Sequence, residues 1–458
     1  MIEFKKVIAE KSFLICFIII PALFIFSGQQ HVLGANDEMQ ETYKNLEVFS
    51  DVLSIVQQNY VENIDTQEAI EGAIKGMLSS LDPHSSYLKP DDFKELQVET
   101  KGSFSGIGIE ITIRDDMLTV VSPIEDTPAF KAGIQAGDRI IKIEDDSTKD
   151  MSLIEAVKKL RGPKGSKVTI SIHREGWTDL QEFTIIRDVI PIYSVRSNFL
   201  EKGYGYVRIT NFQRNTSQDL QDAINELLQE NKLKGLILDL RNNPGGLLDS
   251  SVKVADLFLD EGIIVSTKGR LQDQNMEFSA HSGGPEYDFP IVVLINGGTA
   301  SASEIVAGAL QDHKRALILG SQSFGKGSVQ TIIPMNDGAG LRLTTARYYT
   351  PNGISIQATG ITPDVLVPAV ESTKDDNDRT QMKFLREKDL RHHLENGGTL
   401  ESDSDKTETQ PIDDSGPIPD KATIDEKTKE ILKSDNQLNT ALLVLKSLHV
   451  LSGQNGEK

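Results

Sequence analysis

A serine hydroxyl attacks a carbonyl only when something takes its proton. The segment NGGTASASEIVAGALQD, beginning at Asn296 after the apolar run IVVLI, places Ser301 and Ser303 where a strand gives way to a helix. Ser301 and Glu304 fit Ser-x-x-Glu, a capping box in which the serine only satisfies backbone N–H groups at a helix start. The same position lies in the positive field of those unpaired N–H groups, which favours a developing oxyanion. Capping and catalysis require one geometry, and only a base separates them.

Histidine is the usual partner, but none of the 8 His has an Asp setting that suggests a base. His313 follows the helix in QDHKR, His392 and His393 lie in a polar tail, and His84 and His281 sit in turn-like stretches. Lysine can take the role if burial removes its charge. Lys326 lies in GSQSFGKGSVQTIIP, where glycines permit close backbone approach and Phe324 with apolar strands can desolvate the amine. If KGSVQ is extended, Lys326, Ser328 and Gln330 face one side, and Gln330 can position the amine. From Gly320 to Gly327 the chain also reads G-x-x-x-x-G-K-G, but a phosphate-binding loop ends in Lys-Ser or Lys-Thr and opens into a helix, whereas SVQTII is strand-like. In LILDLRNNPGGLL, an apolar strand runs into a tight turn at Asn242, Asn243, Pro244, Gly245 and Gly246. The N–H of Gly245 or Gly246, with that of Ala302, could form an oxyanion hole.

Together these segments resemble the carboxyl-terminal processing peptidases, or tail-specific proteases, which use a Ser-Lys pair with a nearby glutamine. The resemblance spans roughly residues 40 to 370. It implies Ser301 as nucleophile, Lys326 as general base and Gln330 as the residue orienting the lysine, with Ser303 as the motif's second serine. RNNPGG matches the family's oxyanion-side segment. SGIGIEI resembles the carboxylate-binding loop of a PDZ domain, whose backbone N–H groups receive a peptide C-terminus while the peptide adds to a sheet edge. That implies Ser105, Gly106, Ile107 and Gly108 as the loop and Ile109 as part of the apolar pocket. LRGPKG, starting at Leu160, is also similar to the family's, with Arg161 expected to link this module to the protease.

The elements that must position these residues alternate in type. The implied fold class is α/β, a ClpP/crotonase-like protease core with an inserted PDZ-like β-rich domain and helical N- and C-terminal regions. Residues 1–35 read as a signal peptide or retained membrane anchor, since Lys5, Lys6 and Lys11 flank the apolar run FLICFIIIPALFIF. Helical spacing fills 36–100, short β-rich pieces fill 101–188, and alternating strands and helices fill 189–370. An acidic stretch, 371–422, is expected to be disordered. Helical periodicity returns over 423–458, expected to dock on its own or a neighbouring subunit. The only cysteine, Cys16, lies within the export signal, so no disulfide, cysteine–zinc site or thiol nucleophile follows it. With 48 Lys+Arg against 68 Asp+Glu, the formal charge of −20 repels nucleic acid and anionic lipid. The expectation is an exported serine endopeptidase of the bacterial envelope acting on proteins or peptides with free C-termini. It needs no cofactor or metal, forms a homo-oligomer, and touches the membrane only if its anchor is kept. The alternative, a non-catalytic PDZ scaffold, would suit a chain lacking Ser301 or Lys326, and both are present.

Overall fold

The runs Gly235–Asp239 and Ile291–Ile295 are apolar without alternation, as strands covered on both faces must be. The computed structural model buries every residue of both. It describes residues 39–114, 116–284, 287–369, 385–395, 432 and 434–455. The export signal expected over 1–35 lies outside them. Among the described residues no helix is long and apolar enough to cross a membrane.

Two sheets build the larger domain. In the first, six strands run in the order Val195–Glu201, Tyr204–Ile209, Gly235–Asp239, Ile291–Ile295, Ala316–Gly320 and Val365–Leu366. All neighbours are parallel except the first pair, an antiparallel hairpin. Side chains alternate between faces: Leu236, Leu238, Val293, Ile295 and Ile318 join a core with helices Thr216–Glu230, Leu248–Asp256 and Ala302–Asp312. Ile237, Val292, Leu294 and Leu319 pack on the other face against Leu438, Ala441, Leu442 and Leu445 of helix Asn436–Asn455. The last helix therefore docks on its own chain. Its start is pinned by Arg241, whose guanidinium donates to both oxygens of Asp435 (3.0 and 2.7 Å) as well as to Asp239. The second sheet is antiparallel and joins Ser86–Leu88, Gly340–Tyr349, Ile263–Gly269 and Met276–Ser279, with Ser328–Pro334 also pairing to the long strand Gly340–Tyr349.

The inserted module carries five principal strands in the order Ile109–Arg114, Met117–Pro123, Arg139–Ile143, Lys167–His173 and Gln181–Ile186. Val120, Ile140, Val168, Ile170 and Ile172 pack against Ala156 and Leu160 of helix Leu153–Leu160. Ser152 and Glu155 close that helix's start reciprocally. The chain enters and leaves through a ribbon of Ser103–Gly106 paired with Asp188–Pro191.

The remaining regions depart from expectation in two places. The N-terminal region is helical over 39–59, Thr66–Ser79 and Pro90–Lys101, yet it also lends strand Ser86–Leu88 to the core sheet. The described residues from 39 to 76 belong to a unit of their own. On the helix over 39–59, Tyr43, Leu46, Phe49, Val52 and Val56 recur at three- and four-residue intervals and are all exposed. Of the stretch expected to be disordered, 385–395 is ordered instead, with a 3-10 turn at Glu387–Asp389 and a fully buried Glu387 side chain, while the rest of 371–422 lies outside the described residues.

Leu445 is fully buried against Gly235, where a Cβ would lie 3.0 Å from it. Leu445→Ala should cost about 2–5 kcal/mol, the usual range for truncating a buried leucine. Urea unfolding reads this directly, and an unchanged midpoint would mean that the last helix adds nothing to the stability of the sheet.

Candidate active site

Parallel strands leave their carboxyl ends on one edge, and two adjacent ends carry the segments singled out above. After Ile291–Ile295, the turn at 296–300 is laced to the turn that follows Gly235–Asp239. Asn296 Oδ1 accepts the N–H groups of Asn242 (2.9 Å) and Gly298 (3.0 Å), and Asn296 Nδ2 donates to Asn242 Oδ1 at 2.8 Å. Thr299 Oγ1 donates to the Leu240 carbonyl, and the Asn243 carbonyl accepts Ala300 N–H at 2.9 Å and Ser303 Oγ–H at 3.0 Å. Ser303 is thus a fully buried brace between the two turns.

Ser301 sits at φ 55°, ψ −116°, on the last residue before helix Ala302–Asp312. A positive φ at a residue with a Cβ is strained by about 1–3 kcal/mol and persists only where surrounding contacts impose it. Those contacts come from Glu304. Its Oε2 accepts Ser301 N–H at 2.7 Å, while Glu304 N–H donates to the Ser301 carbonyl. Only the carboxylate half of the capping box forms, and the Ser301 hydroxyl makes no cap bond.

The same carboxylate reaches across to the lysine. Oε1 accepts Ser323 Oγ–H (2.5 Å) and Gly325 N–H (2.8 Å), and Oε2 also accepts Lys326 N–H at 2.9 Å. The backbone nitrogens of Ser301 and Lys326 therefore bond to one oxygen. Burial pushes the Glu304 pKa up to about 7, against four donors that favour its ionised form. Burial also lowers the Lys326 pKa, and Arg342 adds to the fall, while Glu387, Glu304 and Asp82 oppose it. The loop runs into strand Ser328–Pro334 rather than a helix, which leaves no phosphate-loop geometry. Gly327 must be glycine, since a Cβ would meet Gln357 N at 2.2 Å.

Gln330 lies on the same side as Ser328, and its Nε2 donates to Ser328 O (3.1 Å) and Oγ (2.9 Å) instead of to Lys326; the register shift beside it falls on the partner strand, where Thr345 is the extra residue. The turn at 242–246 lies beside the serine as expected. A Cβ on Gly245 would come within 2.9 Å of Ser301 Cβ and 3.0 Å of Ala302 N. Yet Gly245 N–H already donates to Asn243 Oδ1 at 2.9 Å, which removes it from an oxyanion hole in this state. The N–H and carbonyl of Phe212 pair with Gly245 O and Leu247 N–H, leaving the Gly246 N–H outside that pairing. His313 bonds the Ile263 carbonyl, the exposed His281 bonds the half-buried Asp256, and His84 bonds the buried Glu387.

In the inserted module, Ser105 and Gly106 lie in the entry ribbon, so the connection before strand Ile109–Arg114 is only Ile107 and Gly108. Ile107 is buried in the module's core, its carbonyl taken by Ala129 N–H. The Gly108 carbonyl accepts Ile124 N–H and Thr127 Oγ1–H, each at 3.0 Å. Gly108 has φ 79°, and a Cβ there would strike Thr127 at 2.3 Å. Ile109 is half-buried against the same core, at the start of the sheet's outermost strand. Arg161, expected to link this module to the protease, pairs with Glu95 of helix Pro90–Lys101 and lies 4.7 Å over the Phe104 ring.

Two groups at the site were not read from the sequence as functional. Glu304 was visible only as a cap, through Ser-x-x-Glu. Glu387 gave no local signal, because it lies in a polar stretch with no periodicity.

The family model for Peptidase family S41 matches residues 203–367, the model for the activating protease CtpB N-terminal domain matches 26–92, and the PDZ domain model matches 105–186. A carboxy-terminal-processing protease of Bartonella bacilliformis is 48% identical over 399 residues, 86% of this chain and 90% of that protein. The carboxy-terminal processing protease CtpA of Bacillus subtilis is 36% identical over 354 residues, 77% of this chain and 75% of that protein. The solved structure of a photosystem II D1 C-terminal processing protease is 34% identical, covering 70% of this chain and 92% of that one with a TM-score of 0.40. Sequence identity at this level over most of the length places the chain in peptidase family S41, among the carboxy-terminal processing serine proteases that carry a PDZ domain.

Proposed function

We propose that this peptidase is exported, captures protein C-termini on its PDZ domain, and cleaves with Ser301 as nucleophile and Lys326 as general base. The observation that carries the reading is the Glu304 carboxylate, which accepts the backbone N–H of both residues and so fixes the base loop beside the nucleophile's helix. Desolvation supports it further, because it favours the neutral amine that a base must be.

The Ser301 hydroxyl gives its proton to the Lys326 amine as Oγ bonds to the scissile carbonyl carbon. Negative charge moves to the carbonyl oxygen, for which Ala302 N–H at the helix start and Gly246 N–H are the donors. Gly245 contributes close approach to Ser301. The lysine ammonium then protonates the leaving amine as the C–N bond breaks, and the amine activates water to clear the acyl-enzyme. Gln330, bonded to Ser328, influences the lysine through the strand start that follows it.

At the PDZ domain, backbone N–H groups over 105–108 receive the terminal carboxylate, and the peptide adds to the outer strand Ile109–Arg114 beside helix Leu153–Leu160. Export rests on the apolar N-terminal run and on the lack of any cysteine after Cys16. The exposed apolar stripe over 39–59 favours a homo-oligomer, since such a stripe needs a partner surface.

Ser301→Ala should abolish proteolysis with the melting temperature kept, because its hydroxyl caps nothing. Ser303→Ala should keep cleavage and lose about 0.5–1.5 kcal/mol, the net worth of one internal hydrogen bond. Lys326→Arg should be inactive, since guanidinium holds its proton at any working pH. In the wild type, kcat should rise with pH through a lysine pKa below its ordinary 10.5, because the ammonium present at lower pH has no lone pair to accept the serine proton. Ser301-dependent cleavage by Lys326→Arg would remove lysine from the mechanism.

Amidating the C-terminus of a substrate, or ending it in Asp, should weaken capture by removing charge-assisted bonds or apolar fit. Equal affinity for the acid and the amide would contradict terminal recognition. Sedimentation at micromolar concentration should show a species larger than a monomer, and a fully active monomer would remove the role given to the N-terminal stripe.

A further inference from the structure

Glu387 is a carboxylate with no evident reason to be buried. It comes from the short ordered segment 385–395, and its side chain is fully enclosed. Burying such a group is costly unless it is hydrogen-bonded or paired. Its partners bear on the lysine loop. Glu387 N–H donates to the Phe324 carbonyl at 3.2 Å, and Gln357 Nε2 donates to Glu387 Oε1 at 2.9 Å while Gln357 Oε1 accepts Gly327 N–H at 3.0 Å. The neighbouring Arg386 reaches Gln322 Oε1 at 3.0 Å, and His84 Nε2 lies 2.8 Å from Glu387 Oε2. The loop is thus held by this segment directly at positions 322 and 324 and through Gln357 at 327, and by Glu304 at 323, 325 and 326.

We propose that Glu387 is a positioning residue for the peptidase reaction: the tail segment that carries it clamps the far side of the Lys326 loop against the nucleophile's helix. The inference rests on the reading of Lys326 as base. A clamp made by a neutral side chain would serve geometry alone, but this one is acidic and its charge reaches the lysine. The charged groups facing Lys326 are Arg342 on strand Gly340–Tyr349, Glu304 on helix Ala302–Asp312, Asp82 in the turn before Ser86–Leu88, and Glu387, which also touches His84. Of the three carboxylates, Glu387 opposes the fall in the lysine's pKa most strongly. Removing its charge therefore makes the amine easier to free.

The test is kcat and KM against pH on a loosely folded protein substrate, for the full chain and for Glu387→Gln, Glu387→Ala and Lys326→Ala, each measured below its melting temperature. Glu387→Gln keeps the shape and should move the acid limb of the kcat profile to lower pH. Glu387→Ala frees the loop as well and should lower kcat by roughly tenfold to a hundredfold with KM nearly unchanged, as expected when a reacting group is misplaced. An acid limb that Glu387→Gln leaves in place, with Lys326→Ala inactive, overturns the inference and leaves the base reading intact. Ser301-dependent cleavage by Lys326→Ala overturns both. If Glu387→Ala does not fold, the Glu387→Gln profile decides alone.

Discussion

One fully buried carboxylate holds this site together. Glu304 accepts four hydrogen bonds, from Ser301 N–H, Ser323 Oγ–H, Gly325 N–H and Lys326 N–H, and so joins a helix start to a loop that follows a different strand. Left unpaired, a carboxylate there would cost several kcal/mol and would give up its charge. The donors offset that cost only if both segments keep their conformations, so the strained φ of Ser301 and the path of the lysine loop are imposed by the same bonds. The balance is close, as the Glu304 pKa of about 7 indicates.

Around this carboxylate the fold supplies rigidity in layers. The adjacent strands Gly235–Asp239 and Ile291–Ile295 are buried on both faces, and the turns at their ends are tied by Asn242, Asn243 and Asn296. Behind the first turn, Arg241 holds the fully buried Asp239 carboxyl below its ordinary value even though burial opposes ionisation. The same guanidinium anchors the last helix through Asp435. Packing on the far face of the sheet and the geometry of the 242–246 turn thus share one residue.

The PDZ domain is joined to the core more lightly. Helix Pro90–Lys101 carries Asp91 and Glu95, which pair with Lys158 and Arg161 of the domain, and Phe93, which lies against Gly340 of the core. The ion pairs are largely exposed, a kind that is weak in water and weaker in salt. The domain's attachment therefore depends on a connecting helix and a two-stranded ribbon.

The sequence by itself determined the chemistry on offer and much of the fold class. Ser-x-x-Glu at a strand-to-helix junction, a glycine-flanked lysine, an Asn-Asn-Pro-Gly-Gly turn and unbroken apolar strands are all local patterns, set by residue type and short spacing. Tertiary structure decided what those patterns do. Glu304 reads as a cap in the sequence and becomes the link to Lys326 only because the next strand returns its loop to the helix start. Gln330 turns its amide onto Ser328, and Asn243 takes the Gly245 N–H, both choices of hydrogen-bond partner that spacing does not reveal. Glu387 is the extreme case. Its bond to His84 spans 303 positions of chain, and within a polar stretch nothing in its neighbours' identities distinguishes a buried carboxylate from a solvated one. Local rules fix which residues can react, whereas burial and partnership belong to contacts that form only when distant segments share one core.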